Sequence, residues 1–191
     1  MKALHSWLLT EGAHGMISQV EGLANGLNST FEHKFIKPSY FSRFLPPIFT
    51  PRVPSLFNFE ELMSGVNSCP DYIISCGRKS IIPNLVIKKY LKEKFNKKVK
   101  NIHIQDPKIS LNKFDLVICP EHDGLEGSNV IKTKGAIHYV SEKEIFKERN
   151  YLPIDKENKK VVGMLSLGDL AKETITHQRF LIDQLESFIK S

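Results

Sequence analysis

Asp71-Tyr72-Ile73-Ile74-Ser75-Cys76-Gly77-Arg78-Lys79-Ser80 decides the fold. The apolar run reads as a short buried strand, Gly77 and its basic neighbours make the turn, and a helical pattern follows to about Phe95. Ile87, Tyr90 and Leu91 continue an apolar stripe along that helix, and Pro83 falls in its first turn, where a missing N–H costs nothing. Strand, glycine turn and helix in this order is half of a βαβ unit.

The same grammar extends in both directions. Upstream, residues 3–10 predict a strand ending at Thr10-Glu11-Gly12. A helix then runs from about His14 to Leu27, with Ile17, Val20, Leu23, Ala24 and Leu27 at the spacing of one buried face. Phe31 to Ile36 predicts a second strand. Downstream, Val99 to Gln105, Phe114 to Cys119 and Asn129 to Thr133 predict three more. This series implies an α/β domain with a Rossmann-like parallel sheet and right-handed crossovers. Between the second and third strands, residues 37–54 hold Pro38, Pro46, Pro47, Pro51 and Pro54 among aromatics. That density of proline excludes a helix or a central strand, so a long loop that packs on the domain or a partner is expected.

Composition bounds the function. The 191 residues are 41% hydrophobic and 25% charged, ordinary for a soluble globular protein. No apolar stretch approaches the roughly 20 residues that cross a bilayer, and the N-terminus lacks a signal-peptide pattern, so a cytoplasmic location is expected. Three cysteines, Cys69, Cys76 and Cys119, offer neither a disulfide framework nor a metal spacing; Cys76 and Cys119 read as buried thiols. The net charge of +6 is concentrated between Arg78 and Lys100, with nine basic residues against Glu93 alone. Without interleaved aromatics this reads as a solvated helix face and not as a nucleic-acid surface.

Candidate site residues gather at strand ends. Gly12 and Gly15 lie where the first strand turns into the first helix, and backbone N–H groups at a helix start favour a phosphate or sugar diphosphate. The spacing is not the dinucleotide fingerprint, and a tight turn explains the glycines as well. Gly77 and Arg78 form a second such turn, at the sheet edge where α/β folds bind ligands. His103 and His122, each beside acidic residues at a strand end, are candidates for a general base or for a role in the loops. No metal motif is present.

The segments Trp7-Leu8-Leu9-Thr10-Glu11-Gly12, Gln19 with Gly22-Leu23-Ala24, Ile74-Ser75-Cys76-Gly77-Arg78-Lys79-Ser80, His103-Ile104-Gln105-Asp106-Pro107, Phe114-Asp115-Leu116-Val117 through Pro120-Glu121-His122-Asp123, and Thr133-Lys134-Gly135-Ala136 with His138 occur in order. Together they resemble the N-terminal half of the mitochondrial fission ELM1-like family, whose bacterial members look like glycosyltransferases of the two-Rossmann GT-B type. The resemblance covers roughly residues 3–143. It implies a sugar-handling domain over residues 1–146, with a nucleotide sugar as the implied ligand. The family usually has Asp where this chain has Glu11. The second Rossmann domain, which in GT-B enzymes holds most nucleotide-sugar contacts, has no counterpart in these 191 residues, so little transferase activity is expected of the chain alone.

From Arg149 the pattern changes. Arg149-Asn150-Tyr151-Leu152-Pro153-Ile154-Asp155 and Val161-Val162-Gly163-Met164-Leu165-Ser166-Leu167-Gly168-Asp169-Leu170, followed by a helical stretch, resemble the closing ββα of a CBS motif over residues 147–191. That resemblance implies Ser166 and Asp169 as ribose contacts of an adenine nucleotide; as a capping pair they would simply start the last helix. It also implies a homodimer through the stripe Leu181, Leu185, Phe188. The competing expectations are therefore a glycosyltransferase-like half-domain with an interaction tail, a non-catalytic binding or adenine-nucleotide-sensing module, and a fused gene fragment without selected function.

Overall fold

Six parallel strands, ordered β2-β1-β3-β4-β5-β6, form the sheet of the computed structural model, which describes residues 4–135, Ile137 and Gln184. The strands are β1 (Leu4–Thr10), β2 (Ser29–Phe35), β3 (Tyr72–Cys76), β4 (Lys100–Ile104), β5 (Leu116–Pro120) and β6 (Val130–Thr133). Helix α1 (His14–Gly26) joins β1 to β2, the short α2 (Phe59–Met63) precedes β3, and α3 (Ile81–Phe95) joins β3 to β4. The chain divides into units of residues 1–138 and 139–191, and these strands and helices all belong to the first. The expected Rossmann-like parallel sheet is present, with each strand and long helix within a few residues of its expected place. The ββα expected over residues 147–191, with Ser166 and Asp169, falls on residues that, Gln184 apart, lie outside the described ones.

Burial explains the order. β3 is buried along its whole length and sits between β1 and β4, as a run of Tyr72, Ile73, Ile74 and Cys76 requires. One face of the sheet, through Trp7, Leu9, Ile73 and Val117, packs with Ile81, Ile87 and Leu91 of α3 and with Phe57, Phe59 and Leu62 in a single apolar cluster. The buried face of α1, Val20, Leu23 and Ala24, stands outside that cluster. The chain moves outward from β1 to β2 but in the opposite direction from β3 to β4, so right-handed crossovers put α1 and α3 on opposite faces.

Two features differ from the βαβ expectation. The connections β4–β5 and β5–β6 carry only 3-10 turns, Leu111–Lys113 and Glu121–Asp123, in place of helices. The lysines after Arg78 are not all solvated: Lys88 Nζ reaches Asn101 Oδ1 and Asp115, and Lys97 Nζ lies 2.9 Å from Asp71 Oδ1. Cys76 and Cys119 are buried as expected, and burial pushes the Cys76 thiol up to about 12. Cys69, ahead of β3, is half-buried, with its thiol also raised by burial.

Candidate functional site

β1 and β3 are hydrogen-bonded neighbours, yet the chain leaves β1 toward one edge of the sheet and β3 toward the other. In doubly wound sheets ligands bind at such a point, outside the carboxyl ends of the diverging strands. Thr10-Glu11-Gly12 enters this crevice from β1 and Gly77-Arg78-Lys79 from β3. The two turns are clasped together: Lys79 Nζ lies 2.8 Å from Glu11 Oε2, and the Lys79 backbone N–H donates to Glu11 Oε1 at 3.3 Å. Both side chains are about three-quarters buried, with 28% and 20% of their surface exposed.

Gly77 makes the close approach possible. Its φ of 90° and ψ of 153° suit glycine, and a Cβ there would stand 2.6 Å from Met16 Sδ of α1. Gly12, at φ +92°, makes the β1 turn, its N–H donating to Thr10 Oγ1 at 3.2 Å. Gly15 is different: it is the second residue of α1, exposed and with open space around it, so only its backbone N–H has a claim on a ligand. α1 begins without a side-chain cap and without an acidic residue in its first turn, leaving the positive end of the helix dipole toward the crevice. Ser80 Oγ donates to the carbonyls of Cys76 and Gly77 at 2.9 and 2.7 Å, which pins the β3 turn.

Arg78 is exposed and turns to the proline-rich loop, its Nη2 3.4 Å from the Arg43 carbonyl. Between that loop and the start of α3 lies a small open concavity lined by Arg78, Lys79, Ile82 and Pro83 on one side and by Pro38, Leu45 and Pro47 on the other. The loop therefore packs on the domain on one side, as its apolar content foretold.

The two histidines sit apart from this crevice. His103 lies within β4, 1% exposed, its Nδ1 2.9 Å from Ser75 Oγ and its ring tilted against Phe114 at 5.3 Å. Burial holds its pKa down at about 3, and Nε2 has no hydrogen-bond partner among the described residues. It belongs to a buried polar chain. Asn84 Nδ2 donates to Ser75 Oγ at 2.7 Å, Asn101 Nδ2 to Asn84 Oδ1 at 2.9 Å, and Lys88 Nζ to Asn101 Oδ1 at 2.7 Å. His122 is largely exposed in the turn after β5, with Nε2 3.7 Å from Asp123 Oδ1. The pair that sequence reasoning missed is Glu11–Lys79. Its members are 68 positions apart, and the signal for it was the meeting of two strand-to-helix turns of opposite crossover direction. Among the described residues no group of three metal-ligating side chains gathers, and no helix is long and apolar enough to cross a membrane.

Comparison with known proteins gives the same outline. A curated relative, an uncharacterized protein of Rickettsia prowazekii (strain Madrid E), is 27% identical over 121 residues. The aligned part is 63% of this chain and 32% of the relative, so the chain spans about a third of the length of the curated relative it matches. No solved structure matches. The family model for mitochondrial fission ELM1 matches residues 14–174. It takes in β2 to β6, the Gly77–Lys79 side of the crevice and residues 147–174 of the segment that resembles a CBS motif, so one family accounts for the sequence on both sides of Arg149. A match of that extent makes this chain a member of the mitochondrial fission ELM1 family.

Proposed function

We propose that the chain is the sugar-handling half of a GT-B-like glycosyltransferase-type protein, and that its ligand is an anionic sugar derivative held at the carboxyl edge between β1 and β3. One observation carries this reading: Glu11 and Lys79 meet at 2.8 Å at the point where the sheet diverges. The backbone N–H of Gly15, in the first turn of α1, would hold a phosphate oxygen, as helix starts do, while Gly12 shapes the turn that leads into it. Arg78 and Lys79 would add charge, Arg78 as a two-toothed donor and Lys79 as a point charge. Glu11 would accept a hydrogen bond from a sugar hydroxyl. Donor and acceptor must be positioned together for transfer, and the described sheet would hold one of them, so turnover by these 191 residues alone is expected to be negligible.

The test is a two-dimensional NMR titration with inorganic pyrophosphate and with UDP-N-acetylglucosamine. Support is a shift of the Gly12 and Gly77 amide signals that Lys79→Met abolishes. Shifts confined to other surfaces, or none at millimolar probe, overturn the reading. The adenine-nucleotide alternative makes a separate demand: AMP binding lost in Asp169→Ala. The tail's pairing with a second copy through Leu181, Leu185 and Phe188 is proposed on the CBS resemblance and the spacing of that stripe alone. Light scattering of the full chain against a chain ending at Lys147 tests it, and two monomers would end it.

A further inference from the structure

From His33 to Phe59 the chain contains no acidic residue, while Lys34, Lys37, Arg43 and Arg52 fall within it. The same stretch carries the most exposed large apolar side chains among the described residues: Tyr40, Phe41, Phe44, Ile48 and Phe49 are between 66% and 77% exposed. Scattered surface hydrophobics are ordinary, but five in ten residues of one loop are a patch. We propose that this loop docks the protein on an anionic lipid bilayer, with its aromatic side chains in the interface and Arg43 and Arg52 at the headgroups. The inference stands independently of the ligand proposed above.

The loop's construction favours this occupant over a protein. Its inner side, through Pro38, buried Pro47 and Leu56, faces the start of α3 across the concavity, so the aromatics are what remains outside. Tyr40, Phe41 and Phe44 stay at least 70% exposed although their rings touch. Tyr40 meets Phe41 and Phe44 only edge-on at 5.9 Å. A protein partner would need a matching set of pockets, whereas a fluid bilayer fits any outline. Aromatic rings are the side chains that settle at the headgroup level. Part of the backbone is already paired within the loop: Arg43 N donates to Ser39 O, Phe44 N to Phe41 O, Phe49 N to Pro46 O and Thr50 N to Pro47 O. Peptide groups satisfied within the loop do not have to leave water unpaired. The prolines hold this shape before contact, which reduces the ordering cost of binding. Among the described residues the ion pairs involve neither Arg43 nor Arg52, so their charge is available to anionic headgroups.

Co-sedimentation of the full chain with phosphatidylglycerol–phosphatidylcholine vesicles tests the proposal, with pure phosphatidylcholine vesicles as the comparison. Expected are binding to the mixed vesicles, at least about tenfold weaker binding to the neutral ones, and a decrease as salt rises past the range where surface charges are screened. The variant Phe41→Ser/Phe44→Ser/Phe49→Ser should lose at least about tenfold of the partitioning without a change in melting temperature, since these rings are exposed. Arg43→Gln/Arg52→Gln, which leaves the apolar rings untouched, should remove the preference for anionic lipid. Vesicle binding that survives both variants overturns the proposal, as does no binding at all. Self-association that the serine variant abolishes, without vesicle binding, assigns the patch to a second copy of the chain and overturns it equally.

Discussion

Asn101 and Asp115 each hold the other's backbone N–H with a side-chain oxygen. Asn101 N donates to Asp115 Oδ2 at 2.7 Å, and Asp115 N donates to Asn101 Oδ1 at 3.0 Å. The exchange closes the mouth between β4 and the approach to β5, where no helix enforces the crossover. Asn101 itself is fully buried and is also bonded to Asn84 and Lys88. Replacing Asn101 with Leu therefore strands several groups at once. A loss of about 2–4 kcal/mol in urea unfolding is expected, against a small effect for Asn112→Leu in the exposed 3-10 turn.

Gly77 should tolerate no other residue. Gly77→Ala meets both the Met16 side chain and a backbone conformation that L residues avoid. The expected cost is about 1–3 kcal/mol, most of it from the backbone, since the flexible end of Met16 can move aside. The double variant with Met16→Ala separates the two: it should relieve the contact and leave the backbone part. Full recovery of stability in the double variant would show that the conformation at Gly77 carries no strain.

His103 predicts acid lability. Its folded pKa is about 3, against an ordinary value of 6.5, because burial disfavours the charged ring. Between those values the unfolded chain binds the proton and the folded chain does not. Its contribution is thus complete above 6.5 and is lost as pH falls toward 3, by roughly 1.4 kcal/mol per pH unit below about 6. Urea midpoints at descending pH check this. The decline should be shallower in His103→Gln, whose amide can still bond Ser75 and does not titrate in this range.

Breaking the Glu11–Lys79 clasp should change ligand handling more than stability. Glu11→Gln removes the charge but keeps an acceptor, and the pair is partly solvated, so a stability loss of no more than about 1 kcal/mol is expected. Pyrophosphate should bind more tightly, because a repelling carboxylate has gone. Calorimetric titration of both proteins measures the difference, and weaker binding in the variant would remove Glu11 from the anion's neighbourhood.

The parts legible in the sequence were those written by local punctuation. Gly12, Gly77 and Pro83 mark element boundaries because each limits or frees the backbone at its own position. The apolar runs of β3 and β5 announce strands through their own composition. What escaped was tertiary. Lys-Asn-Ile-His-Ile in β4 alternates as a half-solvated strand would, so His103 reads as an accessible base. The structure buries both Asn101 and His103 because Ser75 and Asn84, from two other segments, satisfy them. Glu11 and Lys79 likewise gain meaning only when two distant turns meet. The helix-free crossovers after β4 left no trace either, since polar linkers of that length look alike whether or not a helix will form.

The three cysteines sort themselves by depth, and this turns the natural chain into a labelling reagent. Cys76 and Cys119 are sealed within the sheet, at 0% and 1% exposure, while Cys69 sits half-open ahead of the amino end of β3, at the opposite end of that strand from the crevice. A maleimide dye at mildly alkaline pH should modify one thiol in the folded protein and all three in urea. The label would then report on the protein's tumbling and surface encounters from a position remote from Glu11 and Lys79, with no engineered residue in the chain.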